Sequence, residues 1–177
     1  VRSYKTPGII LARRNFSESD KILTILTPGL GKIVILAKGI RRINSRRAPH
    51  LELFNEVGLV LHRGKTFDIV TESKIINNFP SLRQDLKLIG FVYYSAEVLE
   101  RILPERQKHE PVYYNFQNFL KNLSIVNTEN IVKEFVVQLL WELGYLPKGQ
   151  YPKMGVTNFV ESIIERKIRS KKFIDQL

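Results

Sequence analysis

The sequence predicts an α+β chain in which a five-stranded β-barrel precedes an all-helical domain. Through residue 77, short apolar and β-branched runs alternate with turn residues, whereas after Pro80 the apolar period lengthens from strand-like to helical. Charge divides the chain in the same way. Residues 1–80 carry 14 basic against 6 acidic residues, and residues 81–177 carry 14 against 11, so most of the net charge of +11 belongs to the first part.

The first strand is expected at Gly8-Ile9-Ile10-Leu11-Ala12, the second over 21–27 and the third over 32–37. Pro28-Gly29-Leu30-Gly31 joins the last two as a hairpin turn, because Pro presets φ and Gly admits positive φ. The fourth strand is expected over 56–62 and the fifth over 66–76, with Arg63-Gly64-Lys65 as the tight connection. Five strands with one long excursion, between the third and fourth, suit a small closed barrel of the oligonucleotide-binding type. Gly58 is the expected site of the bend or bulge that closure requires. This barrel is assigned to residues 1–79 and the helical domain to 80–177.

Ser81 with Gln84 has the form of a capping box, and Leu82, Leu86, Ile89, Val92, Tyr93, Ala96, Leu99 and Leu103 continue at helical spacing up to Pro104. Pro111 opens a second helix carrying Val112, Phe116, Phe119, Leu120 and Leu123. A third runs from Thr128 to Leu143, with Ile131, Phe135, Val136, Leu139, Leu140 and Leu143 as its stripe and Gly144 as its stop. Residues 145–155, with two prolines and two glycines, form a loop. A last helix starts near Asn158 and Glu161, carries Phe159, Ile163, Ile164, Ile168 and Phe173, and ends in the basic cluster Arg166 to Lys172. The aromatic residues of these helices belong to the core at such spacing.

Composition narrows the chemistry. Apolar residues at 44% and charged residues at 25% are globular values. The chain has no cysteine, which excludes disulfides, thiolate metal sites and a cysteine nucleophile. His50, His62 and His109 lack ligand spacing, so no metal and no cofactor is expected. No stretch has a signal peptide's apolar core or the length to span a bilayer, and cytoplasmic residence is the expectation. Glu18 and Asp20 are read as turn and strand-start residues, since nothing nearby completes a catalytic site. With no phosphate-cradling glycine motif either, an enzyme is not expected.

Between Asp20 and Glu52 there is no acidic residue, and Lys38, Arg41, Arg42, Arg46 and Arg47 place five cations within ten residues. Such a run suits a polyphosphate backbone, whose condensed counterions each bound Lys or Arg releases, and the planar guanidinium matches phosphate in particular. Asn44 and Ser45 add hydrogen-bond donors. A solvated basic loop is the other reading of the same charge. Lys32, Arg63 and Lys65 are secondary candidates at strand ends, with Arg13 and Arg14 behind them. Phe16 is the best placed aromatic for base stacking, and the sparseness of others points to binding dominated by the sugar-phosphate backbone.

Read in order, Gly8-Ile9-Ile10-Leu11, Phe16-Ser17-Glu18-Ser19-Asp20, Thr27 through Lys32, and Ala37-Lys38-Gly39-Ile40-Arg41-Arg42 with Ser45-Arg46 resemble the amino-terminal barrel of the bacterial recombination mediator family RecO. Ala96-Glu97-Val98-Leu99-Glu100 with Pro104, Leu140 through Pro147, and Arg166 through Phe173 are similar to its helical part. The resemblance implies a non-enzymatic protein of DNA repair that binds single- and double-stranded DNA and promotes strand annealing. It also implies recombinase loading together with a RecR-like mediator and with the acidic, hydrophobic-ended tail of single-stranded-DNA-binding protein. Family members commonly carry a cysteine-bearing zinc-ribbon insertion after the Gly-Tyr-Leu-Pro segment. Here residues 148–155 stand in that place, so a reduced member without the metal is expected.

The residues also admit an RNA-binding or ribosome-associated barrel protein without annealing activity. A peripheral membrane adaptor using the terminal basic cluster is a further reading, opposed by the lack of an apolar face beside that cluster.

Overall fold

The computed structural model describes residues 2–124 and 126–173. Five strands, β1 (Ser3–Asn15), β2 (Lys21–Thr27), β3 (Gly31–Ala37), β4 (Glu56–His62) and β5 (Asp68–Asn77), close into a barrel in the order β1-β2-β3-β5-β4. β1 is long because it serves two neighbours: its first half pairs antiparallel with β4, and its second half with β2. β3 and β5 pair parallel, which places Ile35 opposite Asp68 and Leu36 opposite Ile69. The start of β5 therefore lies level with the end of β3.

Closure uses irregularities other than the expected one. Register shifts fall between Ile10 and Ala12 of β1, and between Glu56 and Val57 and between Val60 and Leu61 where β4 meets β5. Gly58 itself pairs regularly with Pro7 and Lys74. Extra residues in the long strands β1 and β5 bend the sheet, so the glycine in the short β4 is not needed for it. The interior is filled by Ile10, Leu23, Ile25, Ile33, Ile35, Val57, Leu59, Leu61 and Val70, with Ile40 and Leu51 of the β3–β4 connection completing the cluster. That connection is thus anchored in the core at two points.

Helices follow: α1 (Pro80–Arg83), α2 (Leu86–Ile102), α3 (Glu110–Asn122), α4 (Thr128–Glu142), α5 (Val156–Ile164) and a 3-10 turn over Arg169–Phe173. The expected capping box does not form. Pro80 takes the first helical position, which puts Ser81 inside the turn, and Asp85 caps α2 by accepting from the Lys87 and Leu88 amides at 2.8 and 3.1 Å. α4 ends as expected at Gly144 (φ 78°), where the Gly144 and Tyr145 amides donate to the Trp141 and Leu140 carbonyls in a Schellman motif. Its buried stripe is Val132, Phe135, Val136, Val137, Leu139 and Leu140, so Ile131 yields to its neighbour Val132.

The last helix stops earlier than expected. Glu165 is left-handed (φ 54°), and the amides that would continue the helix are diverted to carboxylates. Glu161 Oε1 accepts from Ile168 N at 3.0 Å, and Glu97 accepts from Arg169 N and Ser170 N at 2.9 and 2.7 Å. The basic cluster is consequently a turn and a 3-10 segment, not a helix end. The Phe173 side chain and residues 174–177 of the expected helical domain lie outside the described residues.

The chain forms two compact units. One comprises the residues up to Asn78 together with Pro104–Glu110; the other comprises Phe79–Leu103 and the residues from Pro111 onward. Pro104–Glu110, from the stretch expected to belong to the helices, belongs to the barrel unit. Gly31 (φ 69°) explains why it can: a Cβ there would fall 1.8 Å from the Gln107 carbonyl oxygen, so only glycine admits this segment. In the helical unit, Phe91, Tyr94 and Val98 of α2, the buried stripe of α4 and Val160 of α5 supply the core, and the rings of Phe116, Phe119 and Phe135 gather at 4.6–5.9 Å.

Candidate nucleic-acid interface

The basic run is a built structure, and the residues that build it come from the β1–β2 turn. Asp20 Oδ1 accepts the Gly39 amide at 2.8 Å, the Ser19 carbonyl accepts the Arg41 amide at 3.0 Å, and Arg41 Nη1 donates to the Ser17 carbonyl at 2.8 Å. The Gly39 amide, aided by the Ser19 hydroxyl and Lys38, holds the Asp20 carboxyl below the usual carboxylate range against a smaller opposing effect of burial. Ser17-Glu18-Ser19-Asp20 and Ala37 through Arg42, separate in sequence, are therefore one hydrogen-bonded unit. Gly39, at φ 67°, turns the chain within the second of these segments.

The five cations divide by role. Arg47 is half-buried, and its guanidinium donates to the Val70 carbonyl at 2.6 Å and the Lys38 carbonyl at 2.9 Å, which clamps the run to the barrel. Arg41 is exposed but tied to the turn as above. Lys38, Arg42 and Arg46 are exposed, and so are Asn44 and Ile43.

Lys21, which the sequence did not mark, belongs to the same region. Burial lowers its pKa, and repulsion from Arg13 and Arg41 lowers it further. Arg13 itself is ion-paired with Glu52 at 2.9 Å and donates to the Leu51 carbonyl at 3.3 Å, holding the far end of the β3–β4 connection. Arg14 is exposed at the end of β1.

Two of the secondary candidates, Arg63 and Lys32, fall into a different group. Arg63 lies over the Tyr4 ring, 5.2 Å from its centroid. The Tyr4 hydroxyl donates to Asp68 Oδ2 at 2.6 Å, and Arg106 reaches the same oxygen at 3.1 Å. Burial and the Asp68 contact push the Tyr4 hydroxyl up to about 12. For Asp68, burial raises the pKa, but the bonds from Tyr4 and Arg106 outweigh it and the carboxyl is lowered. The half-buried Lys32 offers its carbonyl to the Arg106 amide at 2.8 Å. Lys32 and Arg63 thus surround the cluster that holds Pro104–Glu110 on the barrel.

Lys65 is exposed in the β4–β5 turn, two residues from Phe67. A Cβ at Gly64 would meet the Phe67 carbonyl oxygen at 2.1 Å, so the turn is as tight as glycine allows. The stagger of β3 and β5 carries this turn to the β1–β2 turn, where the Phe67 and Phe16 rings meet at 6.0 Å and 78°. Neither periodicity nor spacing signals that pair, because the stagger of a closed barrel is a property of the whole sheet. Among the described residues no cluster of His, Cys, Asp and Glu could hold a metal ion, and no helix is long and apolar enough to cross a membrane.

Comparison with known proteins bears on this arrangement. Residues 1–79 match the family model described as recombination protein O N terminal, and residues 83–151 match recombination protein O C terminal. The chain is similar to the DNA repair protein RecO of Roseiflexus sp. (strain RS-1), with 36% identity over 148 residues, 83% of this chain and 52% of that protein. It is 33% identical over 146 residues to the DNA repair protein RecO of Symbiobacterium thermophilum, covering 81% of this chain and 58% of the relative. Against that of Dehalococcoides mccartyi (strain 195) the identity is 34% over 146 residues, 82% of this chain and 58% of the relative. The chain spans little more than half the length of the curated relatives it matches. With both family models matched in order, and a barrel followed by helices beneath them, this chain belongs to the RecO family of recombination proteins.

Proposed function

We propose that the chain is a DNA-binding mediator of recombinational repair. Lys38, Arg42 and Arg46 contact the phosphates, Arg41 and Lys21 stand beside them, and Arg47 keeps the run in place. One observation carries this reading. The acid-free run is held by Asp20, the Ser17 and Ser19 carbonyls and the Arg47 clamp, while Lys38, Arg42 and Arg46 remain exposed. Cations on a fixed backbone bind phosphate at a lower entropic cost than cations on a loose one. Lys32, Arg63 and Lys65 extend the positive field beyond the run.

The mechanism that follows is electrostatic. Neutralising phosphates on two strands lowers their repulsion and releases counterions, while bases that are not hydrogen-bonded by the protein stay available to pair. Strand annealing and recombinase loading with a RecR-like mediator fit this mode of binding. For the tail of single-stranded-DNA-binding protein, the helical unit offers a groove of about 460 Å³ whose lining includes Phe91, Tyr94, Val132, Lys133 and Val136. Its apolar walls suit a hydrophobic chain end and Lys133 suits acidic residues, while Glu129 on the same lining opposes them.

The test is binding of single-stranded DNA by the wild type and by Lys38→Ala/Arg42→Ala/Arg46→Ala across a salt series. Each phosphate left without its cation takes about 0.7 from the slope of log K against log salt, so the slope of the triple variant is expected to be shallower by about 2. An unchanged affinity and slope would place the interface elsewhere. Annealing of complementary strands, bare and coated with single-stranded-DNA-binding protein, then separates the barrel chemistry from the partner interaction. Acceleration on bare strands alone would count against the groove.

A further inference from the structure

We propose that Phe16 and Phe67 form a platform on which one unpaired base stacks, so that the interface takes single strands in preference to duplex. The proposal deepens the DNA-binding reading and rests on it. Phe16 is 53% exposed although apolar, and its ring meets that of Phe67 nearly at right angles. In such an edge-to-face pair the edge of one ring covers at most one face of the other. Whichever ring presents its edge, Phe16 keeps at least one face clear of its partner.

Both rings sit on short, braced turns. The Phe16 amide donates to the Asp20 carbonyl at 3.1 Å, closing the β1–β2 turn, and Gly64 tightens the turn that carries Phe67. The flanking charge suits the phosphates on either side of a stacked base. Arg41 is bonded to the carbonyl of Ser17, the residue after Phe16, and the Lys21 ammonium is disfavoured by burial and then by repulsion from Arg13 and Arg41, which an incoming phosphate relieves. The carboxylates of the same region are the exposed Glu18, Asp20, whose carboxylate accepts the Gly39 amide, and the half-buried Glu52, paired with Arg13. Every base has a π-face, so stacking demands no particular sequence, whereas a duplex keeps its base faces inside its own stack.

The experiment compares Phe16→Ala and Phe16→Trp with the wild type, as full chains, on an oligothymidylate, an abasic phosphodiester strand of the same length, and a duplex. Phe16→Ala is expected to weaken thymidylate binding between about 5-fold and 100-fold, to leave the abasic strand and the duplex unchanged, and Phe16→Trp to retain the wild-type affinity. Equal loss on thymidylate and abasic strands, or no loss on either, would overturn the platform. The triple variant at Lys38, Arg42 and Arg46 separates the two readings. If it weakens both single strands while Phe16→Ala weakens neither, phosphate binding stands and stacking fails. If it changes nothing while Phe16→Ala acts on thymidylate alone, stacking stands and the phosphate contacts lie elsewhere.

Discussion

Arg47 and Arg42 are the same residue type five positions apart, yet one spends its guanidinium on backbone carbonyls and the other is exposed to solvent. Alanine at Arg47 therefore removes a charge and a clamp together, and only Lys38, Arg42 and Arg46 test charge cleanly. Asp20 is the acidic counterpart of that clamp. Its carboxyl titrates lower in the folded chain than the ordinary 3.8, so its contribution is complete above that pH and disappears as pH falls through the folded value. At neutral pH, Asp20→Ala is expected to cost about 1 kcal/mol, a charge-assisted hydrogen bond discounted for exposure. The sharper readout is local. Trypsin should cut after Arg41, Arg42 or Arg46 several-fold faster in Asp20→Ala than in wild type, while Glu18→Ala leaves the rate unchanged; equal rates in all three proteins would show that the Gly39 contact does not hold the run.

Among the elements, the strands are the more legible in sequence. β2 and β4 match their expected limits to the residue, because turn residues bound each short apolar run. The start of α2 departs from expectation, since Ser81 and Asp85 are both acceptable caps in sequence and only the geometry at Pro80 decides between them. Asp85→Ala is accordingly expected to cost about 1 kcal/mol in urea unfolding, and Ser81→Ala a few tenths at most. The opposite ranking would restore the capping box. The end of α5 departs for another reason: Glu161 and Glu97 compete for the amides of the following residues, and Glu97 lies 72 residues before Arg169 in sequence. Helical periodicity carries no trace of a competitor so distant.

At the scale of the whole molecule, carboxylates hold the terminal cationic segment as well as the basic run. Burial raises the Glu97 pKa, but the bonds from Ser170 and the Arg169 amide, together with Arg101, outweigh it, so the carboxyl titrates below its ordinary 4.5. Its contribution is thus present above pH 4.5 and is lost as pH falls through the folded value. Glu97→Gln is expected to lower the exchange protection of the Arg169 and Ser170 amides by about ten-fold at neutral pH, and acidification of the wild type below the folded pKa should lower the same protection once the intrinsic pH dependence of exchange is divided out. Unchanged exchange in Glu97→Gln would deny the anchor. By itself, the sequence determined the order of strands and helices, the concentration of positive charge in the barrel, and the motif order that marks the family, because each is written in local composition and spacing. The tertiary structure alone decided which cations are exposed, that the Ser-Glu-Ser-Asp turn holds the basic run, that Pro104–Glu110 belongs to the barrel unit, and that Phe16 meets Phe67. Those contacts depend on the stagger of a closed sheet and on partners 19 to more than 70 residues apart, and no local pattern encodes either.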